Sequence, residues 1–167
     1  YRYDALGNRI AKTVHGHTVY FLYDNAHKLV AEANEAGQIT TQFLYSELRP
    51  YALMRAQNGA QTRELYAIHA DQRGLPLAVT DAKQRIGWQG NFAAFGNARP
   101  STTVQVAAND NQFHFINTAQ ASNVSTDTSN NDNQQFEMNL RMAGQYADQE
   151  TGLYYNVHRY YDPQQGR

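Results

Sequence analysis

Along the first ninety or so residues, apolar and aromatic side chains come in short runs divided by polar reversals. The runs are Arg9–Val14, Thr18–Tyr23, Leu29–Ala33, Ile39–Tyr45, Tyr51–Ala56, Thr62–Ile68, Leu75–Thr80 and Arg85–Trp88. Val19/Phe21/Tyr23 and Ile39/Thr41/Phe43/Tyr45 alternate with polar neighbours, the period of two that marks a half-buried strand. The reversals fall at Asp4–Asn8, His15–His17, Asp24–Lys28, Asn34–Gln38, Ser46–Pro50, Gln57–Gln61, Asp71–Gly74 and Asp81–Gln84. Most carry Asn, Asp, Gly or Pro, as tight turns require. No long stretch shows the i, i+3, i+4, i+7 spacing of an amphipathic helix. The pattern predicts an all-β fold, an antiparallel β-hairpin meander.

A longer period is laid over the short one. Tyr3, Tyr23, Tyr45 and Tyr66 are spaced by 20, 22 and 21 residues, and Trp88 lies 22 beyond Tyr66. Recurrence in the low twenties implies units that bury a face only against their neighbours. The chain closes on Gly144–Arg167, which holds five of its twelve tyrosines. Tyrosine suits a half-buried pleated surface because the ring covers it while the hydroxyl stays wet. This stretch predicts strands at Leu153–Val157 and around Arg159–Tyr161, followed by a turn on Asp162, Pro163 and Gly166.

The same residues carry a family resemblance. Gly144-Gln145-Tyr146, Glu150-Thr151-Gly152-Leu153, Tyr155-Asn156, Arg159-Tyr160-Tyr161-Asp162-Pro163 and Gly166-Arg167 resemble the Rhs-family core-associated segment. That segment ends the YD-repeat region of bacterial Rhs polymorphic toxins and is similar to part of the C component of insecticidal toxin complexes. Ala143, Ala147 and Tyr154 depart from the usual Pro, aromatic and His, all at packing positions. Upstream, Tyr3-Asp4-Ala5-Leu6-Gly7-Asn8-Arg9-Ile10 closely matches a YD-repeat unit. Tyr23-Asp24-Asn25-Ala26-His27-Lys28-Leu29 is a looser copy with His27 at the glycine position, and Tyr45-Ser46 has lost the Asp. His69 to Pro76 resembles the family's H-x-D-x-x-G-x-P step, and Phe92–Gly96 a worn copy. The resemblance implies YD/Rhs repeats over 1–99, an inserted polar segment over 100–138, and the core-associated segment over 139–167.

Composition changes the picture in two places. Leu, Ile, Val and Phe make up just under a fifth of the chain, and the mean hydropathy is −0.71. This balance predicts a sheet wetted on much of both faces rather than a thick core. Ser, Thr, Asn, Gln and Asp crowd Ser122–Gln135, too polar to repay ordering entropy, so that stretch is expected to be mobile. Phe113–Ile116 and Val104–Val106 are expected to pair as strands across an Asn109-Asp110-Asn111 turn. The absence of cysteine rules out a disulfide frame and a thiolate zinc site. The opening on Tyr-Arg-Tyr-Asp falls mid-pattern, as in a piece of a longer protein, and no apolar run is long enough for a membrane span.

Charge and candidate chemistry point away from catalysis. Fourteen Lys and Arg lie scattered among fifteen acids, with no basic stripe for nucleic acid. His15-Gly16-His17 has the spacing of a metal pair, but lies in a turn without nearby acids, so no metal is expected there. His69 and Asp71 suggest a His–carboxylate couple in another turn. No nucleophile elbow, P-loop or dinucleotide fingerprint occurs, and no cofactor is implied. Tyr3, Asp4, Gly7, Tyr23, Asp24, Tyr160, Tyr161, Pro163, Gly166 and Arg167 stand as structural motif positions, with the tyrosine rows an inter-strand ladder.

The resemblance implies more than these residues do alone. In the family, YD repeats spiral into a hollow β-sheet shell around a C-terminal toxin, which is freed by aspartyl self-cleavage. Asp162 matches the motif and is a candidate contributor to that cleavage, although a dyad needs a second carboxyl. The expected function is therefore structural, namely encapsulation and delivery, with no enzyme activity in this chain. A glycan- or cell-surface-binding repeat module is the alternative. Expected partners are further YD repeats of the parent, the toxin domain as cargo, and a secretion-system spike or adaptor. Secretion or delivery from a bacterial cell follows from the same resemblance.

Overall fold

A computed structural model of the chain describes residues 1–57, 61–92, 95–96, 98–100, 136–142 and 144–167. The expected pairing of Phe113–Ile116 with Val104–Val106 and the expected mobility of Ser122–Gln135 lie outside the described residues, as does Ala143. The described chain is all-β.

Ten strands follow one another in a single antiparallel meander, each bonded to the next in sequence. They are β1 Arg2–Tyr3, β2 Arg9–Val14, β3 His17–Tyr23, β4 Leu29–Ala33 and β5 Ile39–Ser46. The series continues with β6 Arg49–Gln57, β7 Thr62–Ala70, β8 Pro76–Thr80, β9 Ile86–Phe92 and β10 Ala98–Pro100. A second sheet of three short strands follows: β11 Tyr146–Ala147, β12 Tyr154–Asn156 and β13 Arg159–Tyr161. Bounds expected for β2 and β4 match residue for residue, and β13 falls at the place expected for it. Strands β6, β7 and β9 run longer than their apolar runs, because polar residues paired to a neighbouring strand stay in the ladder.

One turn geometry recurs through the meander. At Asp4, Asp24, Asn34, Asp71 and Asp81 the side-chain Oδ1 accepts from the amides two and four residues on. The same residue's own amide donates to the carbonyl four residues ahead, and the amide three residues on donates back. That third residue adopts positive φ: Gly7, His27, Gly37, Gly74 and Gln84. The extra residue appears as a register shift where the strands leave the turn. His27, with φ 59°, thus takes the left-handed conformation a glycine would take more cheaply.

The wetted-sheet expectation is corrected here. One face of the meander is dry. Phe21, Leu29, Phe43, Leu53, Tyr66, Ile68, Val79 and Trp88 form a single core with Met138, Leu140, Tyr146 and Tyr155. Composition understated the burial because the cover comes from the tyrosine-rich end of the same chain. The repeat anchors share this side, with Tyr66 and Trp88 buried and Tyr23 and Tyr45 packed at its margin. Tyr23 donates to the carbonyl of Arg9 at 3.0 Å and Tyr45 to that of Leu29 at 2.9 Å. The two bonds are equivalent, each running from the end of one strand to the start of its hairpin partner.

Candidate functional site

Arg9 and Asp148, both fully buried, meet where the second sheet lies on β2. Arg9 opens β2 pointing into the core, and its Nη1 donates to Asp148 Oδ2 at 2.5 Å with neither side chain exposed. Lys12 Nζ reaches Asp148 Oδ1 at 3.2 Å and Glu150 Oε2 at 3.1 Å. Asp148 sits in a tight turn, where its carbonyl accepts from the amides of Thr151 and Gly152. The turn thereby aims its carboxylate at β2.

Aromatic rings close around the pair. The guanidinium carbon of Arg9 lies 4.5 Å from the Tyr155 ring centre, 5.0 Å from Tyr1 and Phe21, and 5.4 Å from Tyr146. Among the described residues Arg9 Nε and Nη2 have no hydrogen-bond acceptor, and the surrounding rings supply cation–π attraction to the guanidinium. Burial works against the Arg9 charge, but Asp148 outweighs it and holds the guanidinium well above its ordinary value. Tyr146 is pushed well up by burial and by the Glu32 carboxylate. Burial likewise raises Glu32, whose ring partner Tyr146 pulls the other way.

Hydroxyl groups of the second sheet tie it to both ends of the meander. Tyr155 donates to the Gly7 carbonyl at 3.2 Å and accepts from the Arg9 amide at 2.8 Å, while Tyr160 and Tyr3 share a bond of 2.7 Å. Tyr154 donates to the Gly96 carbonyl at 2.8 Å and Tyr161 to that of Phe95 at 2.9 Å. Successive residues on a strand point to opposite sides. Hence the pairs Tyr154/Tyr161 and Tyr155/Tyr160 reach opposite ends of the larger sheet.

The structure brings Tyr3, Gly7, Tyr23 and Tyr160 around Arg9 and leaves the other motif residues elsewhere. Asp4 and Asp24 cap turns, and Asp24 also pairs with Lys28 at 3.3 Å. Asp162 Oδ1 accepts from the amides of Gln164 and Gln165, and the Asp162 amide donates to the Arg167 carbonyl at 2.6 Å. Pro163 is buried beside it. Gly166, at φ 71°, passes so close to Phe95 that a Cβ would lie 2.9 Å from the ring. His15 and Gly16 have positive φ and make the two-residue turn between β2 and β3. His69 bonds Thr80 at 3.0 Å, while Asp71 pairs with Arg73. Sequence reasoning passed over Arg9, Lys12 and Asp148. The signal was a basic residue at a core-facing strand position and an unmatched Asp between Ala147 and Glu150.

A cavity of about 260 Å³ lies beside this site, between the Asp24–Lys28 turn, Leu48 and Pro50, and Leu140–Met142. Rings of Tyr23, Tyr45, Tyr146 and Tyr155 form its walls. Of its two lining cations, Lys28 is held by Asp24 and by the Glu47 carbonyl at 3.1 Å, and Arg141 Nη1 donates to the Met138 and Leu140 carbonyls. Among the described residues no three His, Cys, Asp or Glu side chains converge as a metal site.

No protein-family model matches the sequence. Curated relatives match it end to end. Double-stranded DNA deaminase toxin A of Burkholderia cenocepacia is 29% identical over 191 residues, covering 100% of this chain and 11% of the relative. The tRNA3(Ser)-specific nuclease WapA of Bacillus spizizenii is 27% identical over 167 residues, covering 99% of this chain and 6% of the relative. Toxin protein Tse5 of Pseudomonas aeruginosa is 26% identical over 204 residues, covering 100% and 13%. The chain therefore spans about a tenth of the length of these relatives, 6% to 13%.

These relatives correct the functional expectation. The chain was expected to be structural and without enzyme activity, with a glycan-binding module as the alternative. The relatives that it matches are instead named as a deaminase and as nucleases, which overturns that expectation. The expectation failed because a repeated sheet constrains packing and carries no information about the reaction its protein performs. Homologues of this chain include bacterial toxin proteins.

Proposed function

We propose that this chain is a segment of a bacterial toxin effector whose whole protein is an enzyme acting on nucleic acid. The observation that carries the reading is the end-to-end match to relatives named for DNA deamination and tRNA cleavage. We further propose that the hairpins are YD repeats and that 139–167 is an Rhs-type core-associated segment. Support comes from the shared turn geometry at Asp4 and Asp24 and from the Arg159-Tyr160-Tyr161-Asp162-Pro163 run. Further repeats of the parent protein would add to the two-residue edge strand β1, whose outer side is unpaired among the described residues. Delivery from a bacterial cell belongs to the same reading. In the described residues no helix is long and apolar enough to cross a membrane.

The test is to purify the whole protein that carries this segment and incubate it with double-stranded DNA and with total tRNA. Base deamination or tRNA cleavage with turnover is expected. Intact substrates after incubation with equimolar protein would overturn the reading.

A further inference from the structure

We propose that residues 136–142 and 144–167 form a strap closed over the meander by an ionic lock of Arg9 and Lys12 with Asp148 and Glu150, and that it opens as one unit. The strap has little structure of its own. Its three strands are two or three residues long, too short to be stable without a surface to cover. What it buries, it buries against the meander: Met138, Leu140, Tyr146 and Tyr155 sit on the core face. Every charged bond in the lock joins β2 to the Asp148–Glu150 turn. Opening therefore breaks all three of these bonds and the tyrosine hydroxyl bonds together.

The surroundings set how the lock responds. Tyr1 and Tyr3 face it from the N-terminal end, Tyr23 from β3, Tyr146 from β11, Tyr155 from β12 and Tyr160 from β13. Glu32 of β4 stands behind Tyr146. Removing the Asp148 carboxylate leaves Arg9 buried without its counter-ion. Phe21, Tyr66 and Trp88 lose their cover when the strap lifts.

Hydrogen exchange of the 167-residue chain, read by mass spectrometry, tests this. In Asp148→Asn at pH 7 the amides of Tyr146–Tyr161 should exchange about tenfold faster, with Leu29–Ala70 unchanged, as expected of separate opening units. Glu150→Gln, at the partly exposed end of the lock, should give a smaller acceleration over the same residues. If Asp148→Asn fails to fold, Lys12→Gln and Glu150→Gln are read in the same way. Equal acceleration of both sheets, or none in Tyr146–Tyr161, overturns the proposal.

Discussion

Arg9 and Asp148, 139 positions apart in the chain, meet at 2.5 Å with neither side chain reaching solvent. A buried ion pair gains little over a well-packed apolar pair, because both ions lose their hydration. Its consequence is asymmetric: removing one member strands the other. Asp148→Ala should therefore cost about 3–5 kcal/mol of stability, read from the urea midpoint. The double change Arg9→Met with Asp148→Leu should recover most of that loss.

The tyrosine hydroxyls predict an alkaline limit. Burial, followed by the Tyr160 hydrogen bond, pushes Tyr3 up to about 12, and burial with the Glu64 bond pushes Tyr66 to about 12. Tyr23 and Tyr45 are raised further, chiefly by burial. A phenol held above its ordinary value keeps its proton longer in the folded state. Its stabilisation is complete below about pH 10 and is lost as pH rises through the folded value. Absorbance of tyrosinate should show Tyr3, Tyr23, Tyr45 and Tyr66 ionising well above pH 10 and together with unfolding.

At the acid end the sign reverses. Asp4, Asp24, Asp71 and Asp81 are held below the usual carboxylate range, Asp4 chiefly by its Asn8 bond. In the other three, burial opposes the backbone amides, which prevail. Lys12 helps lower Glu150 against burial in the same way. Their stabilisation is present above about pH 4 and lost as pH falls through the lowered values. Glu32, raised by burial, contributes in the opposite sense. Melting temperature should fall from pH 5 to pH 2, and Asp71→Asn should flatten part of that slope.

Val157 carries strain that substitution should relieve. Its φ is 53° in the turn between β12 and β13, a region hostile to a β-branched side chain. Val157→Asn should stabilise the protein by about 1 kcal/mol, read from thermal unfolding.

Gly90 shows the converse. A Cβ there would lie 2.6 Å from the rings of Trp88 and Phe92. Gly90→Ala should cost about 1–3 kcal/mol through overpacking, with a change in Trp88 fluorescence as the local readout.

Much of the meander was legible because its instructions are local. Alternation at Phe21 and Phe43 placed strands, and Asp4, Asp24 and Asp71 placed turns through bonds to amides within four residues. The strands β1, β10 and β11 were not foreseen, since two or three residues leave no period to read. The lock was illegible for a different reason. Nothing within reach of Arg9 along the chain hints at Asp148, and a basic residue at a strand start reads as solvated until the covering segment is known.

Strand order, turn type and all-β character were settled by side chains acting on their own neighbourhood, where a period of two and a short polar cap carry enough information. Which face of the sheet is dry, which tyrosines meet its two ends, and why a guanidinium can sit in the core were settled only in three dimensions. Burial and charge pairing depend on groups brought together across more than a hundred residues, and short-range pattern carries no record of them.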